Sequence, residues 1–292
     1  MPEANPGPGH APVLGGRTAL VFGGGSGIGL GVARWLLADG ASVVIASRDE
    51  QRLDNAVGVL RSAAPPGTTV GRVVCDATEE ASVAATVDAV AELDICVSAV
   101  GGGTLVPLLL CTAEAFMADL TANLLSTFLT IKYSAIAMAA RGGGTYVAIS
   151  SDAGAISFPY VGPYCAAKAG VDALVRVAAD ELASTKVRFN SVRPGLVRTE
   201  RNAHLTEDEQ TRQRFVDEKP LNRLGSVDDV AAAVRYLAGP ESSWVTGVSF
   251  PVDGGNELRR APSLEAAARR RYGDDAVAAA RSGQPAELLS RP

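Results

Sequence analysis

From Arg17 onward, short apolar runs alternate with helical patterns, and a glycine-rich turn joins the first pair. TALVF leads through VFGGGSGIG into the helical GLGVARWLLADG. The runs SVVIAS, TVGRVVCD, DICVSAV, GTYVAIS, KVRFNSVRPG and WVTGVSFPVDGG follow as further strands. Between them lie the helical patterns EQRLDNAVGVLRSAA, ASVAATVDAVAEL and the long EAFMADLTANLLSTFLTIKYSAIAMAA, with a further helix after the fifth strand. Alternation of this kind builds βαβ units and a parallel sheet covered by helices on both faces. The strand runs are apolar throughout, as doubly covered strands are. The expected fold is therefore α/β: a single doubly wound domain with a seven-stranded parallel sheet over residues 17–255. Residues 1–16, rich in Pro and Gly, read as a flexible arm. Residues 256–292 read as an Arg- and Ala-rich helical tail broken at Gly273.

Composition narrows the function classes. A length of 292 residues with 47% hydrophobic content supplies a full core. The formal net charge is −5, without a basic stripe carrying interleaved aromatics, so nucleic acid is not an expected partner. Cys75, Cys96, Cys111 and Cys165 form neither a C-x-x-C pair nor a metal-like cluster, which reads as reduced thiols in a cytoplasmic protein without a metal. The N-terminal stretch lacks the apolar run of a signal peptide. No segment reaches membrane-spanning length without a polar or Gly break, so no membrane partner is expected.

The glycine turn follows a strand and opens a helix. Spaced Gly23, Gly27 and Gly29 allow a tight turn and close approach of backbone to a pyrophosphate, whose charge the helix N-terminus meets. This context points to a bound dinucleotide on a Rossmann-type sheet. Farther along, GPYCAAKAG sets Tyr164 and Lys168 four residues apart, on one helix face. Taken alone, such a pair is also what a solvated helix face looks like. A cation beside a phenol favours the phenolate and lowers a value that is ordinarily near 10, which would let Tyr164 exchange protons at neutral pH.

These residues together resemble the short-chain dehydrogenase/reductase family. G-x-x-x-G-I-G matches at Gly23, Gly27, Ile28 and Gly29, Y-x-x-x-K at Tyr164 and Lys168, and P-G at Pro194 and Gly195. Ser151 lies 13 residues before Tyr164, Asn123 falls inside the long helix, and VTGVSFPVDGG matches the closing strand. The likeness spans about residues 17–255. Two segments depart from the pattern. Phe22 replaces the usual Thr before the first glycine, and Ser98-Ala99-Val100-Gly101 replaces N-N-A-G.

The resemblance implies roles. Tyr164 would be the general acid/base, Ser151 a hydrogen-bond donor to the substrate oxygen, Lys168 the holder of the nicotinamide ribose, and Asn123 the holder of a water linking Lys168 to solvent. Cofactor contacts would come from Gly23, Gly25, Ser26, Gly27, Ile28 and Gly29, from Ser47 and Arg48, from Asp76 and Ala77 near the adenine, and from Gly101, Tyr164, Lys168, Pro194, Gly195, Val197 and Thr199. The expected activity is interconversion of a ketone and a secondary alcohol; the alternatives are an enoyl-thioester reductase on the same scaffold and a non-catalytic dinucleotide sensor. A homotetramer paired through the fourth and fifth helices is also implied.

The cofactor reading turns on VVIASRDE. An NAD site places an acidic residue at the end of the second strand, where it accepts from the ribose 2′-hydroxyl. Here Ser47 leaves room for a 2′-phosphate, and Arg48 offers it a guanidinium. Asp49 opens the next helix, where the dipole favours an acid. The expectation is NADP(H) rather than NAD(H). Residues 198–223 read as a lid over a small-molecule substrate. Tyr160 reads as a residue lining the site, Ser150 as one position too far from Tyr164, and Cys165 as a small helix residue. His204 reads as a loop residue, His10 as part of the arm, and Arg269–Arg271 as a solvated face or partner contact.

Overall fold

The computed structural model describes residues 12–284. Seven strands form one parallel sheet: β1 (Thr18–Phe22), β2 (Ser42–Ser47), β3 (Val70–Val74), β4 (Ile95–Ser98), β5 (Gly144–Ile149), β6 (Val187–Pro194) and β7 (Ser249–Val252). Their spatial order is β3-β2-β1-β4-β5-β6-β7. Chain direction across the sheet reverses between β1 and β4, and the crevice beyond the strands' C-terminal ends there is where open α/β sheets bind ligands.

Eleven helices flank the sheet among the described residues: α1 (Gly27–Ala38), α2 (Glu50–Ser62), α3 (Glu80–Asp88), α4 (Ala113–Leu120), α5 (Ser126–Ala140), α6 (Gly162–Glu181), α7 (Ala203–Thr206), α8 (Glu209–Asp217), α9 (Val227–Ala238), α10 (Glu265–Tyr272) and α11 (Asp274–Arg281). Both faces of the sheet are covered. In β1, Ala19 and Val21 pack with Val32 and Leu36 of α1 and Val230 and Val234 of α9. Leu20 and Phe22 point the other way, to Leu129 and Met138 of α5 and Val171 and Val175 of α6. Strand side chains alternate faces, and here both faces are dry, which is why the sequence shows unbroken apolar runs.

Three features differ from the sequence reading. First, the long helical run is interrupted: Thr121–Leu125 forms a π-turn between α4 and α5. Asn123 Nδ2 donates to the Asp119 carbonyl (2.8 Å), and the Ser126 and Thr127 hydroxyls donate to carbonyls of this turn (2.8 and 2.7 Å), so side chains share the backbone acceptors. Second, α9 is an additional helix. Its start is marked by a capping box, in which the Ser226 hydroxyl accepts from Asp229 N and the Asp229 carboxylate accepts from Ser226 N. Third, Arg269 in the tail is half-buried and pairs with Glu265 (2.8 Å) and Asp274 (3.1 Å) of its own chain, while Arg270 and Arg271 are exposed.

The tail helices α10 and α11 meet at Gly273, with φ +87°. They bury Ala268 and Val277, and the Tyr272 hydroxyl donates to the Leu105 carbonyl (2.9 Å). His10 lies outside the described residues, as do residues 1–11 of the expected arm; His204 falls in α7. Among the described residues no helix is long and apolar enough to cross a membrane, and no cluster of metal-ligating side chains occurs.

Candidate active site

The turn between β1 and α1 is built on glycine for steric reasons. Gly23 has φ +75°, and a Cβ there would lie 2.5 Å from the Ala99 carbonyl oxygen. A Cβ on Gly29 would sit 2.7 Å from the Gly23 carbonyl carbon and closer still to its oxygen. The substituted floor residues are accommodated by backbone bonding. Phe22 is buried in the core, Gly23 N donates to the Ala46 carbonyl (2.7 Å), and Ala99 N donates to the Phe22 carbonyl (2.9 Å). Ser26 precedes α1 without capping it through its side chain, and the first turn carries no acid. The helix start thus keeps unsatisfied amides and a positive dipole end toward the crevice, fitting a pyrophosphate. Ile28 packs against the core behind the turn, and the Thr199 methyl comes within 3.5 Å of where a Gly27 Cβ would be.

Ser47 and Arg48 stand at the C-terminal end of β2, beside the same turn; a Cβ on Gly25 would be 3.1 Å from Ser47 Oγ. Asp49 is occupied as the cap of α2, accepting from Arg52 N (3.0 Å) and pairing with the Arg52 guanidinium (3.2 Å). Arg48 projects into solvent with its guanidinium 3.8 Å from Asp76. Burial opposes ionisation of the Asp76 carboxyl, but hydrogen bonds from Thr78 and the Arg48 charge hold it below the usual range. Ala77 is buried next to it.

The other predicted residues converge across the crevice. Gly101, at φ +113°, begins a turn that Asn123 fastens: Asn123 Oδ1 accepts from Gly102 N (3.1 Å) and Nδ2 donates to the Gly102 carbonyl (2.8 Å). This turn runs against Tyr164, whose ring would meet a Cβ on Gly103 at 2.8 Å. Tyr164 lies in the first turn of α6, and Lys168 Nζ is 5.7 Å from its ring centroid. Ser151 leads the short turn after β5 and hydrogen-bonds toward Tyr164. Ser150, by contrast, spends its hydroxyl on the Lys168 carbonyl (3.2 Å). Pro194 closes β6; Gly195 N donates to the Val252 carbonyl (3.1 Å), and Val197 is buried.

Electrostatics correct one expectation. Burial pushes the Tyr164 phenol up, to about 12, rather than down. The buried Lys168 ammonium donates to the Ile149 carbonyl (2.8 Å) and is itself pushed down to about 8 by burial. Arg201, which donates to the Gly101 carbonyl, is a cation that opposes the upward push on the phenol.

Arg201 carried no motif and was invisible to local pattern. The same holds for a buried charged group behind Ser151. Asp152 and Lys219 are both buried, and Lys219 Nζ donates to Asn256 Oδ1 (2.7 Å). Asp253 accepts from Gly255 N (2.9 Å) and Glu257 N (2.7 Å), which places the turn after β7 against this group. Residues 198–223 form α7, α8 and short turns rather than an irregular loop; Phe215, Val216 and Leu224 close on Phe158 and on Leu264 of the tail segment. Tyr160, at φ +73°, lines a cavity of about 280 Å³ with Pro107, Leu108, Leu109, Pro159 and Arg281.

Residues 23–257 match the family model described as enoyl-(acyl carrier protein) reductase. The chain is 34% identical to galactitol 2-dehydrogenase (L-tagatose-forming) of Cereibacter sphaeroides, over 83% of this chain and 95% of that one. A short-chain type dehydrogenase/reductase from Mycobacterium ulcerans superposes with a TM-score of 0.87 at 39% identity, covering 90% of this chain and 98% of that one. An actinorhodin polyketide ketoreductase solved with NADPH gives a TM-score of 0.78 at 31% identity, covering 82% and 97%. With the parallel sheet, the glycine turn and the tyrosine–lysine helix in their places, the chain belongs to the short-chain dehydrogenase/reductase family, oxidoreductases that bind NAD(P).

Proposed function

We propose that this oxidoreductase interconverts a ketone and a secondary alcohol with NADP(H), Tyr164 exchanging the proton. The observation that carries the reading is the convergence of the Ser151 and Tyr164 hydroxyls one helical turn before Lys168, across the crevice from an uncapped, glycine-built helix start. Two hydroxyls meeting at one point suit a substrate oxygen. In reduction Tyr164 donates its proton to that oxygen, while Ser151 donates a hydrogen bond to the developing charge. In oxidation Tyr164 takes the proton back. The nicotinamide dinucleotide, when bound, supplies or accepts the hydride. Gly23–Gly29 and the start of α1 would take its pyrophosphate, Asp76 and Ala77 its adenine, Lys168 its ribose hydroxyls, and Thr199 with the Pro194–Val197 segment its carboxamide side. Asn123 keeps the 101–103 turn seated against Tyr164.

A neutral Ser47 and a solvent-facing Arg48 support the phosphorylated cofactor, and the ketoreductase relative was solved with NADPH. The sugar dehydrogenase relative supports a carbonyl–alcohol couple. The family model's description names an enoyl reduction, but the serine–tyrosine pair aimed at one oxygen favours carbonyl chemistry. Turnover of a panel of ketones and secondary alcohols, followed by nicotinamide absorbance with each cofactor, tests the reading. Activity confined to enoyl thioesters, or none with any substrate, refutes it.

A further inference from the structure

Asp152 follows Ser151 directly and is almost fully buried, 4% exposed. Its Oδ1 is 3.1 Å from Ser151 Oγ, and its Oδ2 has no hydrogen-bond partner among the described residues. Ser151 Oγ also accepts from Ala153 N (3.1 Å). A serine hydroxyl has one proton and two lone pairs. Ala153 fills one lone pair, so the contact with Asp152 uses either the other lone pair or the proton. The choice depends on whether the carboxyl carries a proton.

The surroundings leave both states accessible. Burial pushes the Asp152 carboxyl up, to about 7; the Lys219 cation and the Ser151 hydrogen bond favour the charged form, and the Asp253 carboxylate opposes it. Tyr164 and Cys165 also face it, from α6.

We propose that Asp152 is a positioning residue that sets the direction of the Ser151 hydroxyl. As a neutral acid it donates to Ser151 Oγ; both serine lone pairs are then filled and the serine proton is left for the Tyr164 oxygen or for a bound carbonyl oxygen. As a carboxylate, having released its proton to solvent, it accepts the serine proton instead, and a serine lone pair faces the site. The neutral form serves reduction, and the ionised form serves an alcohol that must donate. This assignment rests on the role proposed above for Ser151.

The test has two arms. In protein carrying ¹³C-carboxyl aspartate, one signal should titrate near pH 7 and be missing from Asp152→Asn; an Asp152 signal titrating below about pH 5, the ordinary range, overturns the inference. This arm needs no substrate, so it stands whatever the reaction is. In steady-state reduction, wild-type kcat/KM should fall about tenfold per pH unit above neutrality. Asp152→Asn, whose amide donates to Ser151 at every pH, should lose that fall. Lys219→Met, which removes the cation favouring the carboxylate, should move it to higher pH. A wild-type-like fall in Asp152→Asn, or an unmoved one in Lys219→Met, overturns the inference. Absence of any turnover in the wild type refutes the proposed reaction alone.

Discussion

The glycine turn makes a demanding prediction, because one substitution should act with opposite signs at two sites. At Gly58, inside α2, an added Cβ meets nothing within 4 Å. Gly58→Ala should therefore stabilise by about 0.5–1 kcal/mol, the gain of removing a flexible residue from a helix interior. At Gly29, inside α1, the added Cβ falls 2.7 Å from the Gly23 carbonyl carbon. That obstacle is backbone and cannot rotate aside, so the cost belongs at the upper end of the overpacking range of about 1–3 kcal/mol. Subtracting the helix gain leaves a net loss of about 2 kcal/mol, or about 4–8 °C in Tm for a domain of this size. Urea unfolding and thermal melts measure both variants, and a fluorescence titration with NADPH measures the site. Gly29→Ala should also lose most of its nucleotide affinity, because relieving the clash opens the turn. Equal shifts in the two variants, or wild-type nucleotide binding by Gly29→Ala, would refute the reasoning.

Three further outcomes follow from the same geometry. Tyr164→Phe should keep nucleotide binding and lose at least about two orders of magnitude in turnover, the scale of a lost general acid; near-normal rates with a substrate that the wild type converts contradict the role. Arg48→Ala should weaken NADPH binding by about 1.5–3 kcal/mol and leave NADH nearly unchanged, read by titrating both cofactors; an equal loss for both would contradict the 2′-phosphate role. The protein should assemble into a homo-oligomer, with a tetramer expected, because Leu125 at the end of the π-turn, Phe128 and Ile136 on α5 and Val177 on α6 lie exposed, as does Trp244 near the β7 edge at 99%; light scattering near 30 kDa at micromolar concentration contradicts this.

The seven strands and their parallel pairing were legible in the chain because a strand covered on both faces is apolar at every position, and short runs separated by helical patterns leave one sensible architecture. The glycine turn was legible for a steric reason: Gly23 needs φ +75° and Gly29 has no room for a Cβ, so residue type alone reports the backbone. Tyr164 and Lys168 were legible because helical spacing is local. What the tertiary structure decided is long-range. Asn123, in the π-turn, fastens Gly102, 21 residues away. Asp152 and Lys219 lie 67 positions apart in the chain, and Arg201 reaches Gly101 across 100. The direction of the Tyr164 shift also escaped local reading. Sequence places a lysine one turn away, but only packing shows that the ammonium turns to Ile149 and that burial dominates the phenol. Spacing along a helix fixes which residues are neighbours, whereas desolvation depends on everything the fold brings around them.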